Sequence, residues 1–288
     1  MMTPERRAVS SPARQALNKV PSITIYFWII KILCTTVGET AADFLSSTLN
    51  LGLTNTTYVM AALLAVFLYF QFRGRSYVPS IYWVTVVLIS VVGTLITDNL
   101  TDGFGVSLET TTVIFGVALI ATFAAWYASE RTLSIHTIHT ARRESFYWLA
   151  ILFTFALGTA AGDLVAERMN MGYLLSAVMF GALIGIVALA YGVAKVNTVL
   201  TFWIAYILTR PLGASIGDYL SQPGDEGGLA LGTVVTSLLF LIAIVGFVLY
   251  LTTSRRDQDG PHVLAAAHGP AARLASTRGA ADGRHQGR

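Results

Sequence analysis

Four aspartates recur at one position of a short pattern that is repeated along the chain. Each copy has an aromatic residue followed by tryptophan, a glycine ten residues after the tryptophan and an aspartate five residues after the glycine. The four copies are Phe27-Trp28…Gly38…Asp43, Tyr82-Trp83…Gly93…Asp98, Tyr147-Trp148…Gly158…Asp163 and Phe202-Trp203…Gly213…Asp218. Acids inside or beside apolar segments are costly and usually functional. Four carboxylates would suit a metal site for hard cations such as Mg²⁺, Mn²⁺ or Ca²⁺.

Three further charged residues lie within the first and last copies, namely Lys31, Glu39 and Arg210. On a helix at about 100° per residue they share a face with the glycines and aspartates, within an arc of about 140°. We expect this polar face to point into a helix bundle. Lys31 lies about 18 Å from Asp43 along the same helix, so ion pairs must form between helices. Glu39 or an aspartate of another repeat is the expected partner of Lys31 and Arg210.

The elements that must position these residues are transmembrane helices. Of the 288 residues 54% are hydrophobic and only 12% are charged, about half the charged share of a soluble protein. The apolar runs are long enough to span a bilayer as helices and do not alternate as barrel strands do. The sequence therefore predicts an all-α polytopic bundle that has the lipid bilayer as its partner. Its eight helices are predicted at 22–46, 56–72, 79–101, 110–128, 146–166, 172–194, 198–221 and 229–251.

The tryptophans are 55, 65 and 55 residues apart, which indicates four copies of a two-helix unit. Because two helices return the chain to its starting side, the four units are parallel repeats. We predict a basic cytoplasmic segment at 1–20, a membrane domain at 21–252 and a disordered tail at 253–288. The repeats are placed at 21–75, 76–130, 145–195 and 196–252, with a cytoplasmic insertion at 130–144. The first apolar run is not a cleaved signal peptide, because it is the first repeat.

Sixteen of the 19 Lys and Arg residues fall on one side of the predicted helices. The positive-inside rule places that side, with both termini, in the cytoplasm. The aspartates then lie near the outer boundary of the membrane and the tryptophans toward the cytoplasm. This topology explains the basic balance of the chain without a nucleic-acid partner. The oligomeric state is left open by the sequence.

The repeated residues also have a structural interpretation. The aspartates could bond backbone amides at helix ends, and we give that interpretation equal weight. The tryptophans Trp28, Trp83, Trp148 and Trp203 are typical of packing or interfacial anchors, and the motif glycines of close helix packing, together with Gly181 and Gly185 of the sixth helix. His136 and His139 are expected in a solvated loop, and the single cysteine, Cys34, as a buried apolar residue. We predict no cofactor.

No phosphate-binding loop, dinucleotide fingerprint, nucleophile elbow or zinc-protease motif is present, which argues against an enzyme. The leading hypothesis is a secondary transporter or exporter of a small cation, a divalent metal being the first candidate, with protons as a possible coupling ion. Asp43, Asp98, Asp163 and Asp218 would form an outer site, with Glu39, Lys31 and Arg210 on the deeper path. A membrane scaffold or sensor is the alternative, and an anion carrier using Lys31 and Arg210 is a third.

The pattern resembles a family of bacterial integral membrane proteins built from four tandem two-helix repeats of unknown function. The segment from Tyr26 to Asp43 is similar to the first repeat of that family. The resemblance covers residues 20–252 and implies a bacterial inner-membrane location, but neither substrate nor mechanism. The fourth repeat departs from the others in a more acidic loop at 222–228.

Overall fold

A computed structural model describes residues 18–257 and is all-helical over that range. Eight of its helices are long and apolar enough to cross a membrane, which confirms the predicted polytopic helix bundle. They are α1 Ile25–Asp43, α2 Leu53–Arg73, α3 Pro79–Asp98, α4 Leu108–Glu130, α5 Ala141–Asp163, α6 Tyr173–Ala194, α7 Thr198–Ser221 and α8 Gly232–Ser254. The predictions for the two ends, including the disordered tail, fall largely outside the described residues.

The four motif helices form a central ring. α1 packs against α3, α3 against α5, α5 against α7 and α7 against α1. These helices are 56–72% buried within the chain, whereas α2, α4, α6 and α8 are only 11–22% buried and form an outer layer. Since all four motif helices run in the same direction, the ring has an aspartate end and a tryptophan end.

Each outer helix packs mainly against the motif helix of the following repeat. α2 lies on α3, α4 on α5 and α6 on α7, while α8 lies on α1 and completes the circle. A repeat is therefore contiguous in sequence but shared between neighbours in space. The last helix supplies the outer layer of the first repeat, so the four units close on themselves about one axis.

The motif glycines fix the same helix contact four times. Gly38 faces Ser90, Gly93 faces Phe155, Gly158 faces Arg210 and Gly213 faces Thr35, and a Cβ at any of them would overlap its neighbour. In each pair the contacted residue lies three positions before the next motif glycine. Close approach of backbones at small residues is the usual device of membrane helix packing. The repeated register shows that the four units are related by a pseudo-fourfold axis.

The prediction that Gly181 and Gly185 of the sixth helix are points of close helix packing was wrong. Gly185 has open space where a Cβ would stand, and Gly181 meets only the Leu212 side chain at 3.9 Å. Both glycines lie on α6, an outer helix that exposes most of its surface. Among the transmembrane helices, close contacts at glycine are found between the motif helices.

Three motif aspartates mark a change of backbone. Asp43, Asp98 and Asp163 end their α-helices, and each is followed by one π-helical turn, at Phe44–Thr48, Asn99–Gly103 and Leu164–Arg168. π turns are frequent at functional sites. In the fourth repeat α7 continues to Ser221 instead, so Asp218 lies within an α-helix.

A polar cap covers the tryptophan end. It is formed by residues 18–22, 131–140 and 255–257. The Lys19 ammonium pairs with the buried Glu144 carboxylate at 2.7 Å, and the Ser22 amide donates to the Asp257 carbonyl at 2.9 Å. The insertion is shorter than the predicted 130–144, because α4 includes Glu130 and the Thr140 hydroxyl caps α5. His136 and His139 lie exposed within this cap.

Candidate cation site on the bundle axis

Five layers of equivalent residues line the inside of the ring. Positions four apart lie on one face of a helix, about 6 Å apart along it, and each layer takes one residue from every motif helix. From the tryptophan end they are the aromatic layer (Phe27, Tyr82, Tyr147, Phe202), the lysine layer (Lys31, Val86, Ile151, Tyr206), the arginine layer (Thr35, Ser90, Phe155, Arg210), the glutamate layer (Glu39, Thr94, Thr159, Ala214) and the aspartate layer (Asp43, Asp98, Asp163, Asp218). The first four layers are buried.

The aspartate layer holds carboxylates without protein partners. Within residues 18–257 no group donates a hydrogen bond to, or forms an ion pair with, any of the four aspartate carboxylates. Asp43, Asp98 and Asp163 are half-buried, whereas Asp218 is only 7% exposed. The structural interpretation, in which these acids bond backbone amides at helix ends, therefore finds no support in the geometry.

Three acids converge on one point next to the axis. One carboxylate oxygen each from Glu39, Asp163 and Asp218 lies within 4.8 Å of the others. Two oxygens on opposite sides of one hard cation are about 4–5 Å apart, because the metal–oxygen distances are about 2.0–2.6 Å. The three side chains come from α1, α5 and α7, so the cluster joins three repeats. Its spacing and its oxygen donors fit a hard divalent cation.

Arg210 closes the axis directly beneath this cluster. Its guanidinium donates to the Glu39 carboxylate at 2.6 Å, to the Thr159 hydroxyl at 2.7 Å and to the Thr94 hydroxyl. It also donates to the Thr35 carbonyl at 3.1 Å, while its Nε has no partner. The side chain is completely buried. One arginine thus contacts three members of the glutamate layer, and the ion pair with Glu39 joins α7 to α1 as expected.

Lys31 has no acidic partner, contrary to expectation. Within the described part of the chain, no carboxylate lies within the 4.0 Å that would define an ion pair with its Nζ atom. The ammonium instead donates to the Thr209 hydroxyl at 3.3 Å and lies over the rings of Phe155 at 4.2 Å and Tyr206 at 4.3 Å. The reason is depth, since the nearest acid on its own helix is Glu39, eight residues away, and Arg210 occupies that acid.

The aromatic layer and the tryptophans form a continuous circle of aromatic contacts between neighbouring repeats. The first aromatic residue of each motif contacts the tryptophan of the next repeat, in the pairs Phe27–Trp83 (5.7 Å), Tyr82–Trp148 (5.6 Å), Tyr147–Trp203 (6.3 Å) and Phe202–Trp28 (5.7 Å) between ring centroids. The Tyr82 and Tyr147 hydroxyls share a hydrogen bond of 2.5 Å. These aromatic residues fill the bundle and separate the axial charges from the cap.

Sequence reasoning did not single out the neighbours that enclose Lys31. Phe155, Tyr206 and Thr209 are ordinary apolar or small polar residues of membrane helices. An alignment of the four repeats contains the signal, because Tyr206 occupies the Lys31 position and Phe155 the Arg210 position. The tightly packed ion pair between Lys19 and Glu144 was also missed, since both lie in segments that we assigned to the cytoplasm.

Comparison with known proteins identifies the repeat. No curated protein and no solved structure matches the chain significantly. A family model described as "Repeat of Unknown Function (DUF347)" matches four times, over residues 26–77, 81–132, 146–196 and 201–257. These matches cover most of the chain and agree with the four structural units about the axis. The protein therefore belongs to this family of four-repeat, multi-pass membrane proteins.

Proposed function

We propose that the protein is a secondary transporter of a small hard cation, which binds between Glu39, Asp163 and Asp218. The observation that carries this proposal is the convergence of the three carboxylates within 4.8 Å at the aspartate end of the axis. No described basic residue forms an ion pair with Asp163 or Asp218. A catalytic role is not part of the proposal, because the cluster contains ligands for an ion and no nucleophile beside a base.

Arg210 gives this site a means of controlling passage. Its guanidinium is a tethered cation that already occupies Glu39. A bound metal ion would compete for that carboxylate, leaving Arg210 with Thr94, Thr159 and the Thr35 carbonyl. The ion can move deeper only when the arginine side chain leaves the axis. Exchange of Glu39 between the guanidinium and the transported ion is thus the proposed gating step.

The two ends of the axis support an alternating-access cycle. The aspartate carboxylates have no partner among the residues that the structure describes, whereas the aromatic layer and the cap obstruct the tryptophan end. With the orientation predicted from the basic residues, the site opens away from the cytoplasm. We place the protein in a bacterial inner membrane with both termini in the cytoplasm.

The proposal is tested by binding and flux. Purified protein should bind Mg²⁺, Mn²⁺ or Ca²⁺ in calorimetric titrations, and proteoliposomes should take up the ion that binds best. Asp218→Asn should weaken binding at least tenfold, since one of three charged ligands is lost. The matched control is Asp225→Asn, an exposed acid of the outer loop, which should change neither property. Wild-type protein that binds none of these ions would refute the proposal.

A ligand sensor is the second candidate. The observation in its favour is the packing of the axis beneath the acids, where four successive layers are buried. A sensor would bind the cation at the same three carboxylates without moving it across the membrane. Binding without flux in sealed proteoliposomes would select this function. An anion carrier is disfavoured, because Arg210 is committed to Glu39 and aromatic rings enclose Lys31.

A further inference from the structure

We propose that Lys31 carries the proton that is exchanged for the transported cation. The inference rests on the proposed function and adds a coupling ion to it. Lys31 would be protonated while the carboxylate cluster is empty and would release its proton when the cluster binds a cation. Its ammonium group would become a neutral amine, and the proton would leave toward the aspartate end, from which the cation comes. After the cation has left toward the tryptophan end, Lys31 would take its next proton from that end.

The surroundings of Lys31 suit a group that alternates between charged and neutral forms. Two aromatic faces and one hydroxyl stabilise the ammonium without a fixed negative charge. A lysine that is paired with a carboxylate is held in its charged form. Lys31 has no such partner among the described residues, so nothing fixes it in that form. A fully buried ammonium with no counter-ion also depends strongly on every other charge on the axis.

Few other titratable or charged groups lie close enough to Lys31 to change the protonation of its side chain. Cys34 lies three residues after Lys31 on its own helix, and Arg210 on α7 directly follows Thr209, whose hydroxyl accepts from Lys31. Tyr206 on α7 contributes its ring, while Tyr82 on α3 and Tyr147 on α5 lie in the aromatic layer one turn away. The outer helix α8, which packs on α1, has no Asp, Glu, Lys, Arg or His. The carboxylate cluster is therefore the site whose occupancy changes the field at Lys31.

The distance between the two sites sets the expected coupling. Glu39 lies eight residues from Lys31 along α1, or about 12 Å by helical rise. At an effective dielectric constant near 20, a unit charge at that distance changes proton affinity about tenfold, and a divalent ion about a hundredfold. Binding of a divalent cation should therefore shift the titration midpoint of Lys31 by about two pH units, and the proton is released at any pH between the two midpoints.

Hydroxyl groups lead from Lys31 toward the tryptophan end. The Tyr206 hydroxyl is buried and has no hydrogen-bond partner, although its ring contacts the ammonium. Tyr206 stands in the layer next to that of Tyr147, whose hydroxyl is bonded to that of Tyr82. These hydroxyls provide polar groups along which a proton could reach Lys31 from the tryptophan end.

Direct titration of Lys31 tests the inference. The chain has three lysines, Lys19, Lys31 and Lys195, so lysine side-chain ¹³C and ¹⁵N signals are few. Lys31→Arg assigns the signal, and Lys195→Arg, at an exposed position, is the control. Saturating Mg²⁺ should lower the titration midpoint of Lys31 by about two pH units. A midpoint that does not move, or an ammonium that persists to high pH with and without Mg²⁺, would overturn the inference.

Flux measurements separate this failure from failure of the proposed function. Wild-type proteoliposomes should export protons while they take up Mg²⁺ or Mn²⁺. Lys31→Gln should still move the cation down its gradient, with at least a tenfold smaller proton counterflow. Equal counterflow in Lys31→Gln would overturn the role of Lys31 alone. Loss of cation binding by the wild type would overturn both proposals. Thermal unfolding of each variant verifies its fold.

Discussion

The two ends of the central ring are built by the same four helices, yet they treat polar groups differently. At the tryptophan end, the Tyr82 and Tyr147 hydroxyls pair with each other and Lys19 pairs with Glu144. At the aspartate end, no residue within 18–257 donates a hydrogen bond to, or pairs with, any of the four aspartate carboxylates, and two of these converge with Glu39. One end is a packed core, and the other carries the carboxylates that we propose to bind a cation. Substitutions at the first should change stability, and substitutions at the second should chiefly change binding.

The largest effect is expected where the two ends meet, at Arg210. Arg210→Gln leaves Glu39 buried without its partner, which should cost about 3–5 kcal/mol of stability. Thermal or denaturant unfolding in detergent measures the change. The double variant Arg210→Gln/Glu39→Gln should recover most of the loss, because no buried charge is left uncompensated.

An exposed ion pair provides the matched control for Arg210. The side chains of Arg168 and Glu109 are 69% and 51% exposed, so Arg168→Gln should change stability by less than about 1 kcal/mol. If Arg210→Gln were as mild as Arg168→Gln, Glu39 would not depend on the guanidinium, and the proposed gate would lose its basis.

The next effect concerns the glycine contacts that hold the ring together. Gly158→Ala would place a methyl group against Arg210 and Pro211, and overpacking of this kind costs about 1–3 kcal/mol. Gly185→Ala meets no neighbouring atom and should be neutral or slightly stabilising, since alanine favours helix. Unfolding midpoints compare the two variants. Equal midpoints would contradict the fourfold register.

An effect of comparable size is expected for the hydroxyl pair at the tryptophan end. Tyr147→Phe leaves the buried Tyr82 hydroxyl without its partner, at a cost of about 1–3 kcal/mol. The double variant Tyr82→Phe/Tyr147→Phe should be closer to wild type. Cation affinity, measured by calorimetry, should stay unchanged in both. A large loss of affinity would show that the two ends are not separable.

The smallest effect, and the one with the opposite sign, is expected at Asp43. The helix dipole disfavours a negative charge at the end of α1, so Asp43→Asn should stabilise the metal-free protein by about 0.3–1 kcal/mol. The substitution also removes the repulsion between Asp43 and the other aspartates, which acts in the same direction. Added Mg²⁺ should stabilise the variant less than the wild type. Melting curves with chelator and with Mg²⁺ measure both differences, and a destabilised metal-free variant would indicate a structural aspartate.

Sequence reasoning could predict what repeats and what lies in the membrane. Apolar length indicated the eight helices, and the spacing of Trp28, Trp83, Trp148 and Trp203 indicated four units. Helical periodicity also put Lys31, Glu39 and Arg210 on the polar face. It could not predict that Arg210 forms the ion pair with Glu39 while Lys31 pairs with no described acid, because the pairing depends on the contacts between helices. The packing of each outer helix on the next repeat has no local signal in the sequence.

The closure of the ring also has a consequence for the order of the chain. Because α8 supplies the outer layer of α1 and the Ser22 amide bonds to the Asp257 carbonyl, residues 18 and 257 lie at the same end of the bundle. No repeat is first or last in space. A circular permutant that joins these residues by a short linker and begins at α3 or α7 would keep every helix contact. In this arrangement each two-helix unit covers the motif helix of its neighbour rather than its own.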